Sequence, residues 1–329
     1  MPRPSTALSA ASLLLLAACG SDPQSEAKAP DSPARVDNAS SKAEAGTPVE
    51  VSAPLVMRTD EFSVEPGQER YLCFTKTLDE DAVIGGYSHA AQAYVHHIVF
   101  VRTLVPEPDG FSECDTLFRM TWDPLFISGA GDSTLKFPSD AGQKLTKGTQ
   151  LLVQLHLLNS SDQVAHGSVA VEMHRSLAQD PRSVSTYVFG TTDVHVPAKQ
   201  DSQLQANCEM KEPVQLIAAF PHMHLLGTGM RFEAGASADT MQPLFSREPY
   251  SFDDQHVENV DIQLQPGDKT RVTCTYENPD SKEVTFGEST HNEMCFFIGF
   301  ALDREGLSYC LAPQGENPAQ GEAADPAGP

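Results

Sequence analysis

The stretch Gln150-Leu151-Leu152-Val153-Gln154-Leu155-His156-Leu157-Leu158 decides the fold class. Leu151, Val153, Leu155 and Leu157 fall on one face of an extended chain and Gln154 and His156 on the other, the period of two that marks a strand. Outward from it, similar short runs occupy residues 93–100, 169–174, 184–189, 214–220, 270–276 and 295–302, closed by Gly, Pro, Asn or Asp. No long stretch carries a helical period. Many short strands at this spacing predict an all-β fold of antiparallel sandwiches, with jelly rolls among the candidates. The polar stretch 178–183, which contains Asp180 and Pro181, suits a domain boundary.

The rest of the 329 residues frames these strands. Residues 1–18 read as a signal peptide, with Arg3 ahead of an apolar run too short for the roughly 20 residues of a membrane span. Leu16-Ala17-Ala18-Cys19 resembles a bacterial lipobox, which makes Cys19 the expected lipidated residue; Gly20 rather than Asp behind it resembles sorting to the outer membrane. Residues 19–50 and 312–329 have the Ser, Ala, Pro, Gly and Glu composition of a disordered linker and tail. What remains is long enough for two domains, expected at 51–183 and 184–311. With 22 Lys and Arg against 45 Asp and Glu, the chain carries a formal charge of -23, which argues against nucleic acid as a partner. Its folded part is expected outside the cytoplasm, where disulfides are permitted.

Walker loops, dinucleotide-binding glycine fingerprints, G-x-S-x-G elbows and H-E-x-x-H motifs are missing from the sequence. Histidine, by contrast, is unevenly placed: His96-His97, His156, and His222-Met223-His224 all lie in or beside apolar strand-like runs, where an unpaired imidazole is costly. Each cluster alone is more often hydrogen-bonded core or surface histidine than a metal site. His222 and His224, two apart on a strand, face the same side and can meet one ion while Met223 points away. Pro221 beside them suggests a strand edge or bulge. His96 and His97 are neighbours and face opposite ways on a regular strand, so either a bulge or strand end brings them together or one of them packs. Asn292-Glu293-Met294-Cys295 adds a thioether, which is either a core filler or a soft ligand favouring Cu(I).

In order along the chain, Tyr71-Leu72-Cys73, His96-His97, Gln154-Leu155-His156, Cys208, His222-Met223-His224, Thr273-Cys274-Thr275-Tyr276 and Glu293-Met294-Cys295 resemble the copper type II, ascorbate-dependent monooxygenases, the family of peptidylglycine α-hydroxylating monooxygenase and dopamine β-hydroxylase. The resemblance spans roughly residues 55–312. It implies two tandem jelly-roll β-sandwich domains facing across a solvent-filled cleft, each carrying one copper. His96, His97 and His156 would bind the electron-supplying copper; His222, His224 and Met294 would bind the copper at which O2 is activated and a C–H bond attacked. The implied cofactors are copper, two per chain, with ascorbate or another reductant as electron donor. The implied partners are a small-molecule substrate and O2, with the membrane reached through the lipid anchor only.

The same resemblance implies the pairing Cys73–Cys114, Cys208–Cys310 and Cys274–Cys295, one of fifteen connectivities open to six cysteines, and leaves the seventh, Cys19, to the lipid. It also marks a departure. In the peptide-amidating branch an arginine two residues before H-x-H, and Asn and Tyr two and four residues after the methionine, hold a substrate carboxylate; here these positions are Phe220, Phe296 and Ile298. Phe296, Phe297, Ile298 and Phe300 could line an apolar pocket, although alternation sends half of them to the core and core packing is the default reading for all four. His89, His166, His174, His195 and His256 read as surface or hydrogen-bonded residues, and so does His291, despite standing three positions before Met294. The reading is thus a lipid-anchored copper monooxygenase. The alternatives are a copper-binding or delivery lipoprotein without turnover, and a surface interaction module with vestigial sites.

Overall fold

The computed structural model describes residues 53–315 apart from 91, 93, 115–118, 120 and 130. The expected signal peptide, the lipidation at Cys19, the linker and the tail from 316 onward lie outside the described residues. Within them the chain is all-β: 23 strands and a single 3-10 turn at Ala238–Thr240.

Three large sheets carry the molecule. A five-stranded antiparallel sheet runs Gly110–Glu113, Glu69–Thr77, Gln150–Leu158, Val95–Thr103, Trp122–Ser128. A four-stranded sheet runs Gln200–Glu209, Lys269–Asn278, Gly227–Gly235, Gln242–Arg247. The third sheet has ten strands, and its main path is Leu55–Arg58, Ala170–Arg175, Ala82–His89, Ala141–Leu145, Arg182–Thr191, Cys295–Leu302, Val214–His222, Glu258–Leu264. It faces the five-stranded sheet at its amino-terminal strands and the four-stranded sheet at its carboxy-terminal ones. The two parts join where Arg182 and Ser183 pair in parallel with Ala141 and Gly142.

Each facing pair of sheets encloses its own apolar core, one built around Tyr87, Phe100, Phe126 and Leu155, the other around Phe189, Phe232, Leu216 and Phe297. A third cluster lies between them. Val99, Val101, Ile127 and Leu152 from the outer face of the five-stranded sheet pack against Val188, Phe220, Met294 and Ile298. That contact explains why Leu151 to Leu157 are all buried although their sequence alternates. The odd-numbered leucines enter the first core, while Leu152 joins the third cluster, Gln154 lies against Cys114 and His156 against Tyr71.

Disulfides close the arrangement: Cys73 to Cys114, Cys208 to Cys310 and Cys274 to Cys295. The last joins the Lys269–Asn278 and Cys295–Leu302 strands of opposite sheets and fixes the chain next to Met294.

Candidate metal centres

His96 and His97 escape strand alternation through a bulge. Along the pairing of Val95–Thr103 with Gln150–Leu158, His156 faces His97 but Leu157 faces Val95, so His96 is the extra residue without a partner. The bulge sets the ring of His96 beside its neighbours, and the ligand atoms of His96, His97 and His156 all lie within 4.8 Å of one another. The Nδ1 atoms of His97 and His156 are 3.2 Å apart. Two nitrogens at about 2.0–2.1 Å from one tetrahedral ion stand roughly 3.3 Å apart, so this spacing suits a shared cation.

The surroundings of these rings favour ligand nitrogens over charged imidazolium. Burial pushes His96 down to about 4 and His97 well below the ordinary histidine range, so both are neutral at neutral pH. Both nitrogens of His96 and Nε2 of His97 are buried without a hydrogen-bond partner, which is costly in a protein interior unless something else binds there. His156 is held from outside: its Nε2 meets Glu69 Oε1 at 2.8 Å, and Tyr71 stacks on its ring at 4.4 Å. That hydrogen bond holds the Glu69 carboxyl low, at about 2.

The second group forms where Val214–His222 ends. Beyond Ala219 the strand loses its partner Glu258–Leu264, so Pro221 lies at a locally open edge and costs no ladder bond there. The rings of His222 and His224 are 5.1 Å apart, while Met223 between them is fully buried in the second core. Burial lowers His222 to about 4 and His224 to about 3. His222 Nδ1 lies 2.8 Å from Gln255 Oε1 and His224 Nδ1 lies 3.1 Å from the Asn292 carbonyl, which leaves each Nε2 as the electron-pair donor. Met294 and Cys295 face opposite ways: Met294 joins the cluster between the halves and Cys295 the second core.

The two groups meet. His97 and His222 have ring centres 6.0 Å apart, so the described residues hold no wide water-filled cleft between them. Beside this contact lies a cavity of about 270 Å³ lined by His97, His222 and Met294 together with Val99, Ile127, Val188, Phe220, Phe286, Phe296, Ile298 and the rim residues Thr192, Glu288, Tyr309 and Leu311. Phe296 and Ile298 face it; Phe297 and Phe300 are buried in the two cores, as alternation requires for Phe297. Phe300 lies on the cavity side of its strand but further along, where that face meets the first core.

Residues 183–320 match the family described as copper type II ascorbate-dependent monooxygenase, C-terminal domain. Over this stretch the chain is similar to the copper type II ascorbate-dependent monooxygenases. A human protein provisionally named DBH-like monooxygenase protein 2 is 23% identical over 244 residues, which are 66% of this chain and 48% of the relative. Mouse DBH-like monooxygenase protein 2 is 27% identical over 116 residues, covering 34% of this chain and 19% of its own, and mouse DBH-like monooxygenase protein 1 is 29% identical over 105 residues, covering 31% and 17%. The chain spans about half the length of the human relative it matches.

Several residues beside the donor groups have no signature in the sequence. Glu69, Gln255 and Phe252 are examples; Phe252 stacks on His96 at 3.7 Å, and Gln255 is buried where its backbone passes Gly129. A Cβ on Gly129 would stand 1.8 Å from the Gln255 carbonyl oxygen, so only glycine lets the loop seat. Glu293 is completely buried and accepts backbone N–H groups from His224, Leu226 and Met294; burial raises its carboxyl to about 7 against those bonds. The other histidines stand apart. His174 contacts Ser88, His195 contacts Glu283, His256 contacts Asp254, and His166 and His291 are exposed. His89 is hydrogen-bonded rather than at the surface: it is buried between neighbouring strands, with Nδ1 3.3 Å from the Ala170 carbonyl.

Proposed function

We propose that the chain is a monooxygenase that hydroxylates a C–H bond of a small organic substrate, with His96, His97 and His156 holding one copper and His222, His224 and Met294 a second. One oxygen atom of O2 enters the C–H bond and the other leaves as water, consuming two protons and two electrons from ascorbate or another reductant. Bound copper would supply the one-electron changes and the oxygen activation that this chemistry needs. The observation that carries the reading is convergence: His97 from the three-imidazole set and His222 with Met294 from the other reach one apolar cavity, and nitrogens of His96, His97 and His222 are buried without a hydrogen-bond partner.

The chain's own groups have distinct tasks in this scheme. Glu69 accepts the His156 Nε2 proton and leaves Nδ1 toward its neighbours; Gln255 and the Asn292 carbonyl do the same for His222 and His224 with the roles of the nitrogens exchanged. The thioether of Met294 biases the second group toward the reduced metal, while the all-imidazole first group suits both oxidation states. Apolar walls keep bulk water from the reacting carbon. The cavity also favours an enzyme over a copper carrier, because delivery requires no enclosed organic site beside the donors.

Residues 51–183 and 184–311 would each supply one copper domain. Three disulfides support an oxidising compartment, and Leu16-Ala17-Ala18-Cys19 supports a lipid tether. Copper loading followed by metal analysis tests the reading: two coppers per chain are expected, and one or none overturns it. Ascorbate-driven oxygen uptake that rises with an organic substrate then separates enzyme from carrier. Met294→Ala is expected to abolish hydroxylation while the first copper stays bound; unchanged turnover removes Met294 from the mechanism.

A further inference from the structure

The cavity beside the two donor groups has a buried floor and an exposed rim. His97, Phe220 and Met294 at the floor are 3%, 1% and 3% exposed, whereas Tyr309 and Leu311 at the rim are 37% and 38% exposed. A molecule entering past the rim therefore loses its water before it reaches His222 and Met294. We propose that this cavity binds a neutral, largely apolar ring compound of roughly ten non-hydrogen atoms, and that such compounds are the substrate class; the second half of this statement rests on the monooxygenase reading, the first does not.

Size comes from volume. A dry cavity of about 150 Å³ accommodates benzene, so the 270 Å³ here suits a molecule of nine to eleven heavy atoms, about the size of a fused bicycle. The rings of Phe220, Phe286 and Phe296 on its walls suit a flat aromatic or alicyclic partner, with Val99, Ile127, Val188 and Ile298 filling between them.

Charge is excluded from both sides. Neither Lys nor Arg is among the lining residues, so a carboxylate or phosphate drawn inside would surrender its hydration without a counter-ion, and the Glu288 carboxylate at the rim would repel it. An ammonium group at the floor would meet no carboxylate, because Glu288 is the one acidic residue of the lining and lies at the rim. A neutral polar group, if the ligand has one, belongs at the rim, where Thr192, Tyr309 and Glu288 supply hydrogen-bonding atoms.

Indane, indane-2-carboxylate and 2-aminoindane share one bicyclic skeleton and differ in charge. Their binding to the full folded chain, copper-free and copper-loaded, is measured by calorimetry at neutral pH. Indane is expected to bind both forms with affinities within about threefold, and each charged derivative at least ~100-fold more weakly, the discrimination expected when a charge is desolvated without a partner. Val188→Trp, which fills the cavity from one wall, is expected to weaken indane at least ~10-fold; Ile127→Trp fills it from the opposite half of the chain and serves if the first variant does not fold. Equal or tighter binding of either charged compound overturns the proposal, and so does failure of indane to bind the copper-free chain. Copper stoichiometry is measured on the same samples. A chain that binds indane but not copper keeps the pocket and loses the monooxygenase reading; one that binds two coppers but not indane does the reverse.

Discussion

His222 owes its tautomer to Gln255. The Gln255 amide is itself oriented, since its Nε2 donates to the Phe252 carbonyl at 3.0 Å, which turns Oε1 toward His222 Nδ1. Gln255→Leu keeps the volume and removes the acceptor, leaving a buried N–H unpaired. Stability is expected to fall by about 1–3 kcal/mol in urea unfolding, and copper affinity of the second group by about 10–100-fold in a competition titration, with the first group unchanged. Affinity within twofold of the parent chain would remove Gln255 from the site. Glu69→Gln is the mirror experiment. It retains an acceptor for His156 but loses the charge, so affinity of the first group is expected to drop about tenfold and that of the second to stay constant; an effect on both groups alike would mean general loosening. The five histidines and Met294 stand out in the sequence because imidazoles in apolar strands are costly and therefore conspicuous. Glu69 and Gln255 do not: they lie 87 and 33 residues from the rings they orient, among ordinary polar residues, and only the closed fold makes them neighbours.

At the scale of elements, the segment Glu288 to Met294 ties the two donor groups together. Its first residues reach the first half of the chain: Tyr71 Oη donates to the Glu288 carbonyl at 2.9 Å, and Thr290 Oγ1 donates to Glu69 at 3.2 Å. Its last residues hold the second group through the Asn292 carbonyl and the Glu293 carboxylate. The segment is anchored at its end by Cys274–Cys295 and by Tyr276 Oη, which donates to the Met294 carbonyl at 2.8 Å. Such a segment is invisible to strand periodicity, whereas the strands Gln150–Leu158 and Cys295–Leu302 were legible to the residue from alternation and turn signals. Replacing both Cys274 and Cys295 by Ala opens a 21-residue loop in the unfolded chain, for an expected loss of about 3 kcal/mol. Because the anchor also sets Met294, the same variant is expected to lose copper from the second group first. Retention of two tightly held coppers would show that the hydrogen bonds of Glu293 suffice without the disulfide.

For the whole molecule, the alternation of Gln150–Leu158 made the fold class legible but not that the face bearing Gln154 and His156 would be buried as well. Periodicity records that two faces differ; it does not record that a second set of sheets will cover the more polar one. That cover is the cluster of Val99, Val101, Ile127 and Leu152 against Val188, Phe220, Met294 and Ile298, reinforced by one sheet running through both halves. Neither half can unfold without stripping apolar surface from the other and breaking the Arg182 and Ser183 pairs with Ala141 and Gly142. The single tryptophan, Trp122, is fully buried in this shared cluster and so reports on it directly. Trp122 fluorescence and far-ultraviolet circular dichroism are expected to trace one coincident urea transition, the signature of a single cooperative unit. Copper in excess over its dissociation constant should move that transition as a whole to higher urea, by about 2.7 kcal/mol at one hundred times the constant for one site. Two separated midpoints, or a copper shift confined to one probe, would show that the halves fold independently and that the contact between His97 and His222 is not maintained by the packing around it.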